Sequence, residues 1–266
     1  MRPQITSTAN PAVKALRRLQ RRRERDRTGL FPVEGAREIG RALDGGVAVD
    51  RLYVRSGEGV PTDLVARAEA AGIEVVPLGA EAFAAAAYRD VPGGTIAVAR
   101  RFATGLPDLA GTDAPLVLVV EGVEKPGNLG AVLRTAAAAG AAAVVACNPA
   151  TDPFNPNVVR ASLGALFALP VALAPAAETR AWLDRHGIPW WASSMHGTRP
   201  LWEADLSGAA ALVVGGEESG LDPSWLADPE RVIVVPTPGP VASLNLAAVA
   251  AVLLFEAVRR RSYPAG

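Results

Sequence analysis

Cysteine, histidine and lysine are nearly absent from this sequence: one cysteine (Cys147), two histidines (His186, His196) and two lysines (Lys14, Lys125) in 266 residues. A lone cysteine excludes an intrachain disulfide and fits a reducing compartment. With so few imidazoles and thiols, a zinc site built from cysteine and histidine is not available. The N-terminal MRPQITSTANP lacks the apolar run of a signal peptide. The longest uncharged apolar stretch, Val241 to Phe255, falls short of the ~20 residues needed to span a bilayer. The expectation is a cytoplasmic protein with neither a membrane nor a metal partner.

Net charge is absent as well, lysine plus arginine equalling aspartate plus glutamate at 27 each. That balance hides a polarised chain. The segment KALRRLQRRRERDR, Lys14 to Arg27, reads as a basic helix with eight cationic residues against Glu24 and Asp26. Such a segment is suited to phosphate, although a solvated charged face is the alternative.

What the chain has in abundance is apolar alternation. LFPVEG, VDRLYVR, IEVVPLG and TIAVARR read as strands, interleaved with helical AREIGRAL, PTDLVARAEAAG and AEAFAAAAYRD. FATGLPDLAGTDAP then reads as a linker. From Leu116 the strands LVLVVEG, AAVVACN, PVALA, PWWASS, AALVVGG and RVIVVP are continuously hydrophobic, which suggests a mostly parallel sheet covered by helices on both faces. The expected organisation is an α/β fold with a small domain at 1–101, a linker at 102–114 and a larger domain at 115–266.

Loops after the carboxyl ends of parallel strands commonly bind ligands. Three such loops are unusual in composition: EKPGN, GGEESG and PTPGPVASLN. Gly122 and Gly127 have P-loop spacing, but Asn128 and Leu129 stand where lysine and serine or threonine must be, and no G-x-G-x-x-G follows a strand. Arg134 is the only charged residue between Pro126 and Thr151. On so apolar a helix it must snorkel, pair with a carboxylate or face a cleft, and Glu217 is a candidate partner. Asn128 and Ser243 each read equally well as helix caps or as site residues, and Asn245 as a first-turn polar residue. In DPFNPNVVRASLG, Asn157, Arg160 and Ser162 stand at a helix start, which favours anions.

Three motifs stand in order: Asn128-Leu-Gly130-Ala-Val-Leu-Arg134, Gly215-Gly-Glu217-Glu-Ser-Gly220-Leu221 and Pro236-Thr-Pro-Gly239-Pro-Val-Ala-Ser243-Leu244-Asn245. Together they resemble the SpoU (TrmH) branch of the SPOUT RNA methyltransferases. ITSTANPAVKALRRL and FPVEGAREIGRAL are similar to the L30e-like substrate-binding domain that often precedes the catalytic domain. The resemblance implies a trefoil-knotted α/β methyltransferase domain, a homodimer formed through it, S-adenosylmethionine as cofactor, and an rRNA or tRNA ribose 2′-hydroxyl as methyl acceptor.

By the same resemblance Arg134, Asn128, Glu217, Ser243 and Asn245 are the catalytic set. Gly215, Gly216, Glu217, Gly220, Val235, Pro236, Ser243 and Leu244 surround the cofactor. Lys14, Arg17, Arg18, Arg21, Arg22 and Arg160 are the candidate RNA contacts. Gly216, Glu218 and Thr237 depart from the family's usual residues. Two other readings remain at this point: an RNA-binding protein that keeps the fold without methyl transfer, and a small-molecule enzyme on an open α/β sheet.

Overall fold

A computed structural model describes residues 3–57, 61–89, 93–217, 220–240 and 243–262. The chain divides into two compact units, Met1–Phe102 with Asp152–Ala168, and Ala103–Thr151 with Leu169–Gly266.

The first unit contains α1 (Pro11–Leu19), α2 (Arg22–Thr28), β1 (Leu30–Glu34), α3 (Ala36–Asp44), β2 (Val49–Arg55), α4 (Thr62–Ala70), β3 (Glu74–Leu78), α5 (Ala80–Ala86) and β4 (Thr95–Arg100). Its sheet has the order β1-β4-β2-β3, with β4 antiparallel to both neighbours and β2 parallel to β3. Asn10 starts α1 by accepting the Ala12 N–H at 2.9 Å, and Pro11 occupies the first turn, where no N–H is needed. Val13, Leu16 and Leu19 bury one face of α1, leaving Lys14, Arg17 and Arg18 exposed.

The expected single basic helix is two helices. Arg25 folds back and donates to the carbonyls of Leu19 and Gln20 at 3.0 and 2.8 Å, groups that a terminating helix leaves unpaired. Its guanidinium also meets Asp152 at 2.6 Å, with both side chains buried. Arg25 is therefore an internal tie, distinct from the exposed cations around it. Asp152 opens a segment of the same unit that contains α7 (Pro156–Ala161), capped by Asn155, which accepts the Asn157 N–H at 2.9 Å.

The second unit contains β5 (Leu116–Glu121), α6 (Pro126–Ala138), β6 (Ala143–Cys147), β7 (Val171–Leu173), α8 (Ala176–Arg185), β8 (Trp190–Ser193), β9 (Arg199–Pro200), β10 (Ala210–Gly215), α9 (Pro223–Leu226), β11 (Val232–Val234) and α10 (Leu246–Ser262). All pairings in its sheet are parallel, in the order β7-β6-β5-β10-β8-β11-β9. Every residue of β5 and β6 is buried, as the continuous apolar runs imply for strands covered on both faces. Chain order reverses direction at β5, with β6 on one side and β10 on the other, and that switch point is where an open sheet leaves a crevice beyond its carboxyl ends. Glu121 ends β5 as a buried carboxylate satisfied by Trp225 Nε1 at 3.0 Å and Asn148 Nδ2 at 2.9 Å. The two-residue strand β9 carried no sequence signal. Among the described residues, no helix is long and apolar enough to cross a membrane.

Candidate active site

Because the sheet is parallel, the loops after β5, β8, β10 and β11 leave the same edge. Pro126 occupies the first position of α6, so Asn128 lies inside the helix and is not its cap. Its Nδ2 donates instead to Oε1 of Glu217 at 3.0 Å. Asn245 precedes α10 and accepts the Ala247 N–H at 2.9 Å, so it, rather than Ser243, caps that helix. The other end of the Asn245 amide donates to Glu217 Oε1 at 2.7 Å and to Asn128 Oδ1 at 3.3 Å. Lys125 donates to Glu217 Oε2. Hydrogen bonds from Lys125 and then Asn128 hold the Glu217 carboxyl below the usual carboxylate range.

The glycines of the second loop have a steric reason. Gly216 and Gly220 form a bridge, with Gly220 N–H donating to the Gly216 carbonyl at 3.1 Å, and Gly220 takes φ +67°. A Cβ on Gly215 would lie 2.5 Å from the carbonyl carbon of Gly220. Beside this loop is an open cavity of about 540 Å³. Gly215, Gly216, Glu217, Gly220, Val235, Ser243 and Leu244 line it, together with Thr237. Pro236, exposed in the same loop, is not one of its walls.

Arg134 corrects one expectation. It does not pair with Glu217, whose oxygens are taken by Lys125, Asn128 and Asn245. Arg134 lies on an exposed face of α6, and its guanidinium has no hydrogen bond or ion pair among the described residues.

The sequence profile of the SpoU rRNA Methylase family matches residues 115–255, and that of the MRM3-like substrate binding domain matches residues 10–97. The chain belongs to the SpoU rRNA methylase family. Over 95% of its length it is 31% identical to the 23S rRNA (guanosine(2553)-2′-O)-methyltransferase RlmP of Bacillus subtilis (strain 168), covering 98% of that protein. A crystal structure described as an RNA 2′-O ribose methyltransferase superposes with TM-score 0.85 at 39% identity, over 98% of this chain and 100% of the other. The AdoMet-bound rRNA methyltransferase from Sinorhizobium meliloti gives TM-score 0.88 at 30% identity, over 99% of both chains.

Within this SpoU chain, the motif residues Asn128, Glu217 and Asn245 are brought into direct contact, while Ser243 joins the cavity wall and Arg134 stands apart. Sequence reasoning missed Lys125, although it is one of only two lysines and sits in a loop already marked as unusual. It also missed Ser193, the last residue of β8, and Ser194, Met195 and His196 of the loop after it, all of which line the cavity. In the first unit Lys14, Arg17, Arg18, Arg21, Arg22 and Arg160 are exposed, with Arg18 near Glu24 at 3.9 Å and Arg22 near Asp26 at 3.7 Å. Of the alternatives at that helix start, Asn157 is exposed and Ser162 is buried against the Val159 carbonyl at 2.9 Å. Glu218, Val241 and Ala242 lie outside the described residues.

Proposed function

We propose that this SpoU-family chain transfers the methyl group of S-adenosylmethionine to a ribose 2′-hydroxyl of ribosomal RNA, the RNA class named for RlmP. The observation that carries the reading is the meeting of Asn128, Glu217 and Asn245 beside the cavity at the sheet's carboxyl edge.

The cavity suits the cofactor. Its volume falls within the ~300–1,000 Å³ usual for small-molecule sites. Val214, Leu221, Val234 and Leu246 offer apolar walls for a flat base, while Ser193, Ser194 and Ser243 offer hydroxyls for polar groups. Gly215, Gly216 and Gly220 let backbone amides and carbonyls come close to a ligand. When bound, S-adenosylmethionine supplies a methyl group already activated by the positive charge on sulfur.

The protein's task is then alignment and charge. A ribose hydroxyl is a weak nucleophile at neutral pH, and fixing it in place removes much of the barrier. Arg134, which is exposed, can clamp an RNA phosphate and stabilise developing negative charge on the 2′-oxygen. A guanidinium in its charged form offers only N–H donors and is not the proton acceptor. Asn128, Glu217 and Asn245 form a cross-braced frame between α6, the β10 loop and the start of α10. The exposed face of α1 with Arg21, Arg22 and Arg160 supplies cations for RNA phosphates.

The finer architecture is part of the same proposal: an L30e-like fold for the first unit, a trefoil knot in the second, and action in the cytoplasm as a homodimer. The dimer is supported by Leu244, Val252 and Phe255, exposed apolar residues of the last segment, at 42%, 39% and 48% exposure. The deciding experiment is transfer of labelled methyl from S-adenosylmethionine to rRNA, with ribose methylation mapped by mass spectrometry. Arg134→Ala is expected to abolish transfer while calorimetry finds cofactor affinity nearly unchanged. Wild-type turnover in that variant would remove Arg134 from the mechanism, and absence of any transfer by the unaltered protein would remove the functional reading.

A further inference from the structure

The frame around Glu217 includes a charged group that lies outside all three motifs. Lys125, in the turn between β5 and α6, meets Oε2 of Glu217, while the amides of Asn128 and Asn245 both donate to Oε1 at 3.0 and 2.7 Å. The two oxygens are thus held from different sides, which sets the plane of the carboxylate as well as its location. Asn245 is fixed in turn by its cap to Ala247. The Lys125 side chain is 63% exposed and that of Glu217 29%, and ion pairs so open to water contribute little to folding stability. The contact therefore bears on where groups sit more than on whether the chain folds.

We propose that Lys125 is a positioning residue for methyl transfer: it holds Glu217 against Asn128 and Asn245. The inference rests on the function proposed above. Lys125 acts through Glu217, so its contribution disappears once Glu217 can no longer bind an ammonium.

The test is a double-mutant cycle on the full chain, with single-turnover methyl transfer to an rRNA transcript as the readout. Lys125→Met is expected to slow transfer by about 10–100-fold, the scale of a displaced catalytic frame, with cofactor affinity nearly unchanged. Lys125→Arg, which keeps the charge and can grip a carboxylate, is expected to restore most of the rate. With Glu217→Gln already in place, Lys125→Met is expected to add almost nothing. Effects that combine independently, within about twofold, overturn the proposal. So does a Lys125→Met variant whose loss lies in RNA affinity with a salt slope reduced by about one, the signature of a direct phosphate contact.

A second readout needs no transfer. Among the described residues, Lys125 is the charged group that bonds Glu217 from the β5–α6 turn, whereas α6 and the segment before α10 present the neutral amides of Asn128 and Asn245. In carbon-detected NMR titration of the full chain without RNA or cofactor, Lys125→Met is expected to raise the Glu217 carboxyl toward its ordinary range. An unshifted titration overturns the Lys125 proposal alone, and a wild-type chain that transfers no methyl overturns the functional reading.

Discussion

Gly215→Ala tests whether the glycine loop is a packing necessity that shapes the cavity. The added Cβ would lie 2.5 Å from the carbonyl carbon of Gly220, 2.7 Å from its oxygen and 2.8 Å from the Leu221 nitrogen. All three are backbone atoms, so no side-chain rotation relieves the contact. Ordinary contact begins near 3.4 Å, leaving about 0.9 Å to be found by moving the loop. A shift of that size stretches the 3.1 Å bond from Gly220 N–H to the Gly216 carbonyl to roughly 4 Å, beyond hydrogen-bonding range. Overpacking costs about 1–3 kcal/mol and the lost bond about 1 kcal/mol, together about 2–4 kcal/mol. For a domain of this size that is a fall of about 4–16 °C in apparent Tm. If the loop instead yields, the strain appears as weakened cofactor binding, because Gly215, Gly216 and Gly220 all line the cavity. Gly127→Ala is the matched control: its Cβ meets nothing within 4 Å, and in a helix alanine is favoured over glycine by about 0.5–1 kcal/mol. Differential scanning fluorimetry and calorimetry with S-adenosylmethionine should therefore separate the same substitution at two glycines by sign. Gly215→Ala melting and binding cofactor like the wild type would refute the reasoning.

Two further outcomes follow from the charged residues. Arg17→Ala and Arg21→Ala, on the exposed basic surface, should each weaken rRNA binding evenly across sequences and lower the slope of log affinity against log salt by about one; an unchanged slope would show that these cations do not meet phosphate. Glu256, in the last turns of α10, is held at a pKa of about 2 by Arg259 first and by Arg260. A depressed carboxyl stabilises the fold above its unfolded value near 4.5 and loses that contribution as pH falls through about 2. Glu256→Gln should thus lower the apparent Tm at pH 7, with the gap to wild type closing in acid; a gap independent of pH would contradict the assignment.

The strands of the second unit were legible because burial on both faces demands uninterrupted apolar residues, as in Leu116–Glu121. The three motif loops were legible because glycine, proline and polar clusters interrupt those runs. The break between α1 and α2 was not, since Arg25 finds its carboxylate in Asp152, 127 residues away. Nor was the contact of Lys125 with Glu217, since a lysine in a turn is unremarkable until a carboxylate from a distant loop is placed against it. The loop after β8 joins the cavity with ordinary residues, and only the neighbouring strands β10 and β11 make it part of a site.

Local chemistry in the chain determined which segments become strands and helices, where the loops fall, and that Gly215, Gly220, Asn128, Glu217 and Asn245 are set apart from their surroundings. Tertiary structure alone decided who pairs with whom. A carboxylate binds whichever donors the fold brings within about 3 Å. Parallel packing of β5, β10 and β11 delivered Lys125, Asn128 and Asn245 to Glu217 and left Arg134 exposed.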